Sequence, residues 1–135
     1  MKKQFSFHEA SERALEAHRA ELRNRVREVV LRELPEAVGA TLRLTFAIEE
    51  FTNDPQESDY YLLIGIRRHT PGSSLGWTPY SHGDRKVVDA AIQEEEISAA
   101  HLREICQDDG NGNYEITLDV SLVEPLPEFT AQEGI

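Results

Sequence analysis

Two segments in which apolar and polar residues alternate constrain the fold more than any other feature of the chain. In residues 41–49, Leu42, Leu44 and Phe46 alternate with mostly polar neighbours, and residues 114–122 repeat the pattern. Successive side chains of a strand point to opposite faces, so each segment predicts a strand with one buried face. A sheet built from such strands needs a covering layer on that face.

A third segment, residues 60–66, is apolar at nearly every position. Such a run is typical of a central strand covered on both faces. We expect Tyr61 and Leu63 on the outer face of the sheet, where they can support a dimer or partner contact. The other side chains expected on that face are Thr41, Arg43, Thr45, Thr117 and Ser121.

Two amphipathic segments provide the covering layer. Residues 8–37 carry an apolar stripe at 3.6-residue spacing, and Pro35 with Gly39 ends that helix. Residues 87–107 carry a less regular stripe, which predicts a break near residues 94–98. Arg19, Arg23 and Arg27 form a row of like charges along the first helix. Such a row indicates acidic neighbours elsewhere in the fold or in a partner.

The predicted fold class is α+β, with the element order α-β-β-α-β. We expect a three-stranded, largely antiparallel sheet with two helices packed on one face. Residues 1–124 form a single domain in this interpretation. Residues 125–135 contain two prolines and form a loosely ordered tail. The last strand can lie beside the first strand or beside the second.

The chain is strongly acidic and its charge is uneven. Its 135 residues hold 25 acidic and 14 basic side chains, a net charge of -11. Residues 1–34 have a balance of +2, so the remaining residues carry -13. An acidic chain repels phosphate backbones and anionic membranes, so we expect no direct nucleic-acid or membrane binding. The excess of acidic side chains either keeps the protein soluble or forms a surface that binds a basic partner.

The cysteine count and the hydropathy narrow the class of protein further. Cys106 is the only cysteine, so an intrachain disulfide and a four-thiolate zinc site are excluded. No apolar run approaches the roughly 20 residues of a membrane helix. The first residues hold two lysines but lack the apolar stretch of a signal peptide. We therefore expect a soluble cytoplasmic protein.

Residues 67–86 are the strongest candidate for a binding site. This stretch is rich in Gly, Pro and Ser and holds four basic residues against one acid. Long loops in compact domains are usually functional or disordered. The side chains best suited to contact a partner are Arg67, Arg68, His69, Trp77, Tyr80, His82 and Arg85. They suit a protein hot spot or a small-molecule pocket, and the alternative is a mobile connection with Trp77 packed on the core.

No residue pattern indicates catalysis or metal binding. Ser81, His82 and Asp84 lie too close in sequence to form a catalytic triad. His82 and Asp84 lack a third metal ligand, and so do His101 and Glu104. Neither a glycine-rich phosphate loop nor a complete calcium loop is present. We expect no catalytic residue, no metal and no cofactor. Enzymatic activity stays an open alternative to the non-enzymatic interpretation that we favour.

These patterns favour a non-enzymatic protein-binding module. The most concrete version is an inhibitor or immunity-type protein that masks a basic surface on a nucleic-acid-binding partner. The acidic docking surface of such a protein can include the three consecutive glutamates Glu94, Glu95 and Glu96, and the alternative is that they form a solvated face. The alternatives are a small-molecule-binding or enzymatic domain that uses residues 67–86, and a homo-oligomeric structural component such as a homodimer.

Overall fold

The computed structural model describes residues 7–49, 60–70 and 76–125, with the backbone alone for residues 7–10. These residues form one α+β domain with three α-helices and a five-stranded sheet, which confirms the predicted class. The helices are α1 (Phe7–Glu33), α2 (His82–Glu94) and α3 (Ala99–Ile105), and a 3-10 turn spans Pro35–Ala37. The strands are β1 (Thr41–Glu49), β2 (Tyr60–His69), β3 (Trp77–Pro79), β4 (Gln107–Asp108) and β5 (Tyr114–Asp119).

The sheet is antiparallel throughout, in the order β3-β2-β1-β5-β4. β1 is the central strand, so the last long strand lies beside the first. Leu44 of β1 is flanked by Ile66 of β2 and Ile116 of β5. The register of β1 with β2 shifts between Thr45 and Phe46. This β-bulge changes which residues of β2 share a face.

Side chains from all three helices meet one side of the sheet in a single core. The predicted apolar stripe is buried from Leu22 to Val30 of α1 and at Leu34 just after it, whereas Leu15 is 39% exposed. Leu42, Leu44 and Phe46 of β1 have no exposed surface on this side. Burial on one side of a sheet is the arrangement that strict alternation requires. None of the helices in the described part of the chain is long and apolar enough to cross a membrane.

The predicted element counts and the predicted long loop were wrong in detail. Within residues 7–49, 60–70 and 76–125 the sheet has five strands and not three, since β3 and β4, of three and two residues, were not predicted. Strands this short leave no alternation to detect. The described residues form three α-helices instead of two, because the second predicted helix is divided between Glu94 and Ala99, where a break was expected. Residues 67–86 are not one irregular loop: β2 runs on to His69, β3 follows, and α2 begins at His82.

Serine caps fix the starts of α2 and α3. The Ser81 side chain accepts a hydrogen bond from the backbone N–H of Asp84, 3.1 Å away. At α3, Ser98 Oγ accepts from the His101 N–H, and His101 Nδ1 accepts in return from the Ser98 N–H. Such caps satisfy backbone donors that a helix start leaves free. The close spacing of Ser81, His82 and Asp84 therefore reflects a helix start.

Side chains of α2 cover the edge of β2 beyond β3. Asp89 Oδ1 accepts from the backbone N–H of Leu63 at 2.9 Å, and Arg85 donates to the Leu63 carbonyl at 2.5 Å. Gln93 donates to the Tyr61 carbonyl at 3.3 Å. Arg85, Asp89 and Gln93 are four residues apart and so lie on one face of the helix. They occupy backbone groups that a further strand would otherwise pair with.

We expect Asp89→Ala to lower the free energy of unfolding by about 1–2 kcal/mol, because it leaves the part-buried Leu63 N–H without its acceptor. Freeing this edge should also promote self-association of the variant. Urea unfolding and sedimentation velocity measure the two effects. Asp89→Asn, which keeps an acceptor oxygen, is the matched control. If the alanine and asparagine variants were equally stable and equally monomeric, Asp89 would not protect the edge.

Candidate functional site

The side of the sheet opposite the core, here called the open face, exposes a row of large apolar side chains on β2. Tyr60, Leu62 and Ile64 are 53%, 47% and 41% exposed. The expectation that Tyr61 and Leu63 face outward was wrong, since they are 7% and 0% exposed. Two features of β2 explain the error. Its residues are apolar at almost every position, so alternation does not show which face is buried. The bulge also leaves Ile64 without a partner on β1, which interrupts the two-residue period of the strand.

A cationic and aromatic cluster lies at the other end of the open face. The guanidinium carbon of Arg43 is 4.1 Å from the centroid of the Trp77 ring. His69 meets the same ring edge-to-face at 5.2 Å. Arg67 lies directly opposite Arg43 on the neighbouring strand. The structure therefore brings together Arg67, His69 and Trp77 from the predicted candidates and adds Arg43, whose outward position the alternation of β1 had predicted.

Between this cluster and β5 the open face contains a polar cleft of about 370 Å³. Its floor is formed by Thr45 of β1 and Gly65 of β2, which are paired in register. Arg43 and Arg67 line one side, and Glu115 of β5 lines the other. The remaining lining residues are Ile64, Asp109, Asn111 and Asn113. This cleft was not predicted from the sequence, because it depends on which strands are neighbours.

The turn between β4 and β5 has an internally bonded structure. Asp109 Oδ1 accepts hydrogen bonds from the backbone N–H groups of Asn111 and Asn113, at 2.7 and 3.1 Å. Gly110 and Gly112 both adopt positive φ, which glycine tolerates best. Hydrogen bonds of this kind shape a tight turn without a bound ion. The turn thus holds Asp109 and the two asparagines at the cleft.

The other candidates from residues 67–86 have contacts within the fold. Arg68 donates to the Glu36 carbonyl at 3.4 Å. Arg85 contacts His82 Nδ1 at 2.9 Å as well as the β2 edge. Tyr80 packs against the core, and its buried hydroxyl has no hydrogen-bond partner among the described residues. The contacts of Arg68, Tyr80, His82 and Arg85 are therefore made outside the Arg43–Trp77 cluster.

The three consecutive glutamates at the end of α2 have different surroundings: Glu94 is the last residue of the helix, and Glu95 and Glu96 follow it. The Glu95 carbonyl accepts a hydrogen bond from Arg25 at 2.5 Å, and its carboxylate lies 3.7 Å from Arg32. Glu95 therefore joins α2 to α1. Glu94 and Glu96 are exposed, and Glu96 has a positive φ of 60°, a conformation common just after a helix end.

Titratable groups elsewhere in the described residues do not form a reactive site. His18 lies 3.1 Å from Glu104 and meets His101 edge-to-face at 5.6 Å. No group of three or more potential metal ligands occurs in the described ranges. Burial raises the pKa of the Cys106 thiol to about 12, with a smaller contribution from Glu115. Cys106 is therefore a thiol at neutral pH and a poor nucleophile.

Comparison of the chain with protein-family models, with curated proteins and with solved structures finds no match.

Proposed function

We propose that the chain is a non-enzymatic protein-binding module and that the open face is its binding surface. The observation that carries this proposal is the row formed by Tyr60, Leu62 and Ile64, each more than two-fifths exposed, on the same face as Trp77. Large apolar side chains gathered on one exposed surface are typical of interaction sites. Tryptophan, tyrosine and arginine are the side chains that contribute most at such sites.

The charges on the open face suggest the chemistry of the partner. Arg43 and His69 contact the Trp77 ring, and Arg67 lies opposite Arg43 on the neighbouring strand. Neither Arg43 nor Arg67 forms a salt bridge in the described residues. A matching surface would place apolar side chains on the β2 row and carboxylates on the two arginines. The partner we propose is therefore a protein with an apolar patch flanked by acidic residues.

Affinity capture from the native host, read by quantitative mass spectrometry, tests this surface. Leu62→Ser removes an apolar side chain from the row, and Val87→Ser is the matched control, because Val87 on α2 is equally exposed at 48%. We expect a partner that is lost with Leu62→Ser, retained with Val87→Ser and weakened by Arg67→Gln. The proposal is wrong if every captured protein binds all three variants equally, or if the row only joins two copies of this chain.

A second candidate is the inhibitor that masks a basic surface. It rests on the -13 balance outside residues 1–34 and on the exposed Glu94 and Glu96. Its partner would bind through carboxylates of this chain, so Glu94→Gln with Glu96→Gln should weaken capture while Arg67→Gln strengthens it or leaves it unchanged. The opposite order of effects supports the open face. Both comparisons are made at low and high salt, because salt screens exposed charges.

A further inference from the structure

Arg67 and Glu115 line the same cleft, and neither forms an ion pair or a side-chain hydrogen bond in the described residues. Glu115 is half-buried, whereas Arg67 is exposed. Arg43 has one long hydrogen bond, 3.5 Å to Thr117 Oγ1, and its contact with Trp77. The cleft therefore contains positively and negatively charged side chains that do not form ion pairs with each other.

Strand pairing fixes where these charges lie. Arg67, Arg43 and Thr117 occupy one row across β2, β1 and β5, and Gly65, Thr45 and Glu115 occupy the next. Neighbouring strands are about 4.8 Å apart, so the outer strands of this trio are separated by roughly 10 Å. The arginines thus lie towards β2, and the carboxylate of Glu115 rises from β5.

Gly65 keeps the floor of the cleft low. A Cβ atom placed there would meet nothing within 4 Å, so the space above it is empty. Glycine inside a strand weakens the sheet and often marks a place where a ligand approaches the backbone. The bulge beside it turns Ile64 towards the same cleft. An aliphatic side chain next to an open floor suits the stem of a small molecule.

The two arginines need an anion. Like charges directly opposite each other on paired strands repel, and no described carboxylate forms a salt bridge with either of them. The Trp77 ring holds the Arg43 guanidinium in place, which lowers the entropy lost when it binds. A carboxylate between Arg43 and Arg67 would relieve the repulsion and gain charge-assisted hydrogen bonds.

The other side of the cleft needs a cation. Glu115 and Asp109 carry negative charge there. A phosphate group would therefore be attracted by the two arginines but repelled by these two carboxylates across the cleft. We propose that the cleft binds a small zwitterion, with its carboxylate on Arg43 and Arg67, its ammonium on Glu115 and Asp109, and its aliphatic stem along Ile64 and Gly65. This site shares Arg43, Arg67 and Ile64 with the surface proposed for the protein partner. Titration of the purified chain with a small molecule needs no partner, so either proposal can fail while the other holds.

Titration of the whole chain with 6-aminohexanoate tests the site. The readouts are the backbone amide signal of Gly65 in nitrogen–proton correlation spectra and the fluorescence of Trp77, the only tryptophan. We expect saturable changes in both. Hexanoate lacks the ammonium and hexylamine lacks the carboxylate, so each should bind about tenfold more weakly or worse. 4-Aminobutyrate reports on the span between the two charges.

Variants at adjacent positions of β2 provide the matched control. Arg67→Gln and Glu115→Gln should each weaken 6-aminohexanoate binding about tenfold. Arg68→Gln removes the same charge from the next residue, which contacts the Glu36 carbonyl outside the cleft, and should leave binding unchanged. The proposal is overturned if no saturable change occurs, if hexanoate, hexylamine or inorganic phosphate binds as tightly, or if Arg68→Gln weakens binding as much as Arg67→Gln.

Discussion

Phe46→Ala is expected to lower the free energy of unfolding by about 3–5 kcal/mol. Phe46 has no exposed surface and lies on the central strand, opposite Leu63 of β2 and Tyr114 of β5. Its ring meets that of Tyr61 edge-to-face at 5.8 Å. Alanine removes the ring, leaves a cavity and ends the aromatic contact, which alone is worth about 0.5–1.5 kcal/mol. Because whole domains are stable by only about 5–15 kcal/mol, this loss should leave much of the variant unfolded near body temperature.

Urea unfolding followed by circular dichroism measures this effect. Phe46→Leu, which keeps most of the volume, should cost about 1.5 kcal/mol or less. Leu62→Ala on the open face should cost about 0.5 kcal/mol, because Leu62 is already 47% exposed. A loss for Phe46→Ala no larger than that for Leu62→Ala would show that the core lies elsewhere.

Glu124→Gln is expected to cost about 2 kcal/mol near neutral pH and almost nothing near pH 2. The Glu124 carboxylate accepts hydrogen bonds from Arg23 at 2.7 Å on both oxygens and from Arg27 at 2.6 Å. Hydrogen bonding from Arg23, then from Arg27, lowers the pKa of Glu124 from 4.5 to about 2. Asn24 adds two hydrogen bonds to the Glu124 backbone. This residue therefore holds the chain after β5 against α1.

The direction of the pH dependence follows from that lowered pKa. A carboxyl group with a lower pKa in the folded state stabilises the fold above its unfolded value, and this contribution is lost as pH falls from about 4.5 to about 2. Denaturant unfolding of the wild type and of Glu124→Gln across this range should give curves that converge at the acidic end. Glu28→Gln, an exposed position on α1, is the control and should run parallel to the wild type. Curves for Glu124→Gln that also run parallel would contradict the ion-pair assignment.

The fold class could be predicted because its main elements have clear periodicity. β1 matches the predicted segment, and the buried stripe of α1 follows the predicted spacing. The row of Arg19, Arg23 and Arg27 indicated acidic neighbours, and Glu124 is a neighbour of that kind for two of the three. The short strands β3 and β4 could not be predicted, since partner strands and not their own residues define them. The predicted tail beginning at residue 125 lies outside the described residues except for Pro125, so that boundary stays a prediction.

The candidate site could be predicted only in part. Composition drew attention to Arg67, His69 and Trp77, because a basic stretch with the only tryptophan is unusual in an acidic chain. Composition could not separate these residues from Arg68 and Arg85, whose side chains bond backbone groups of the fold. That separation depends on the face of β2 and on the start of α2. The cleft depends further on β1 lying between β2 and β5, which brings Arg67 and Glu115 to one surface.

Site-specific photo-crosslinking in the native host tests the open face most directly. A benzophenone amino acid replaces Leu62 in one variant and Val87 in another, two aliphatic positions of nearly equal exposure on different elements. We predict a discrete crosslinked species, containing one other protein, from position 62 and none from position 87. Crosslinks from position 87 alone, or identical products from both positions, would contradict a binding role for the open face.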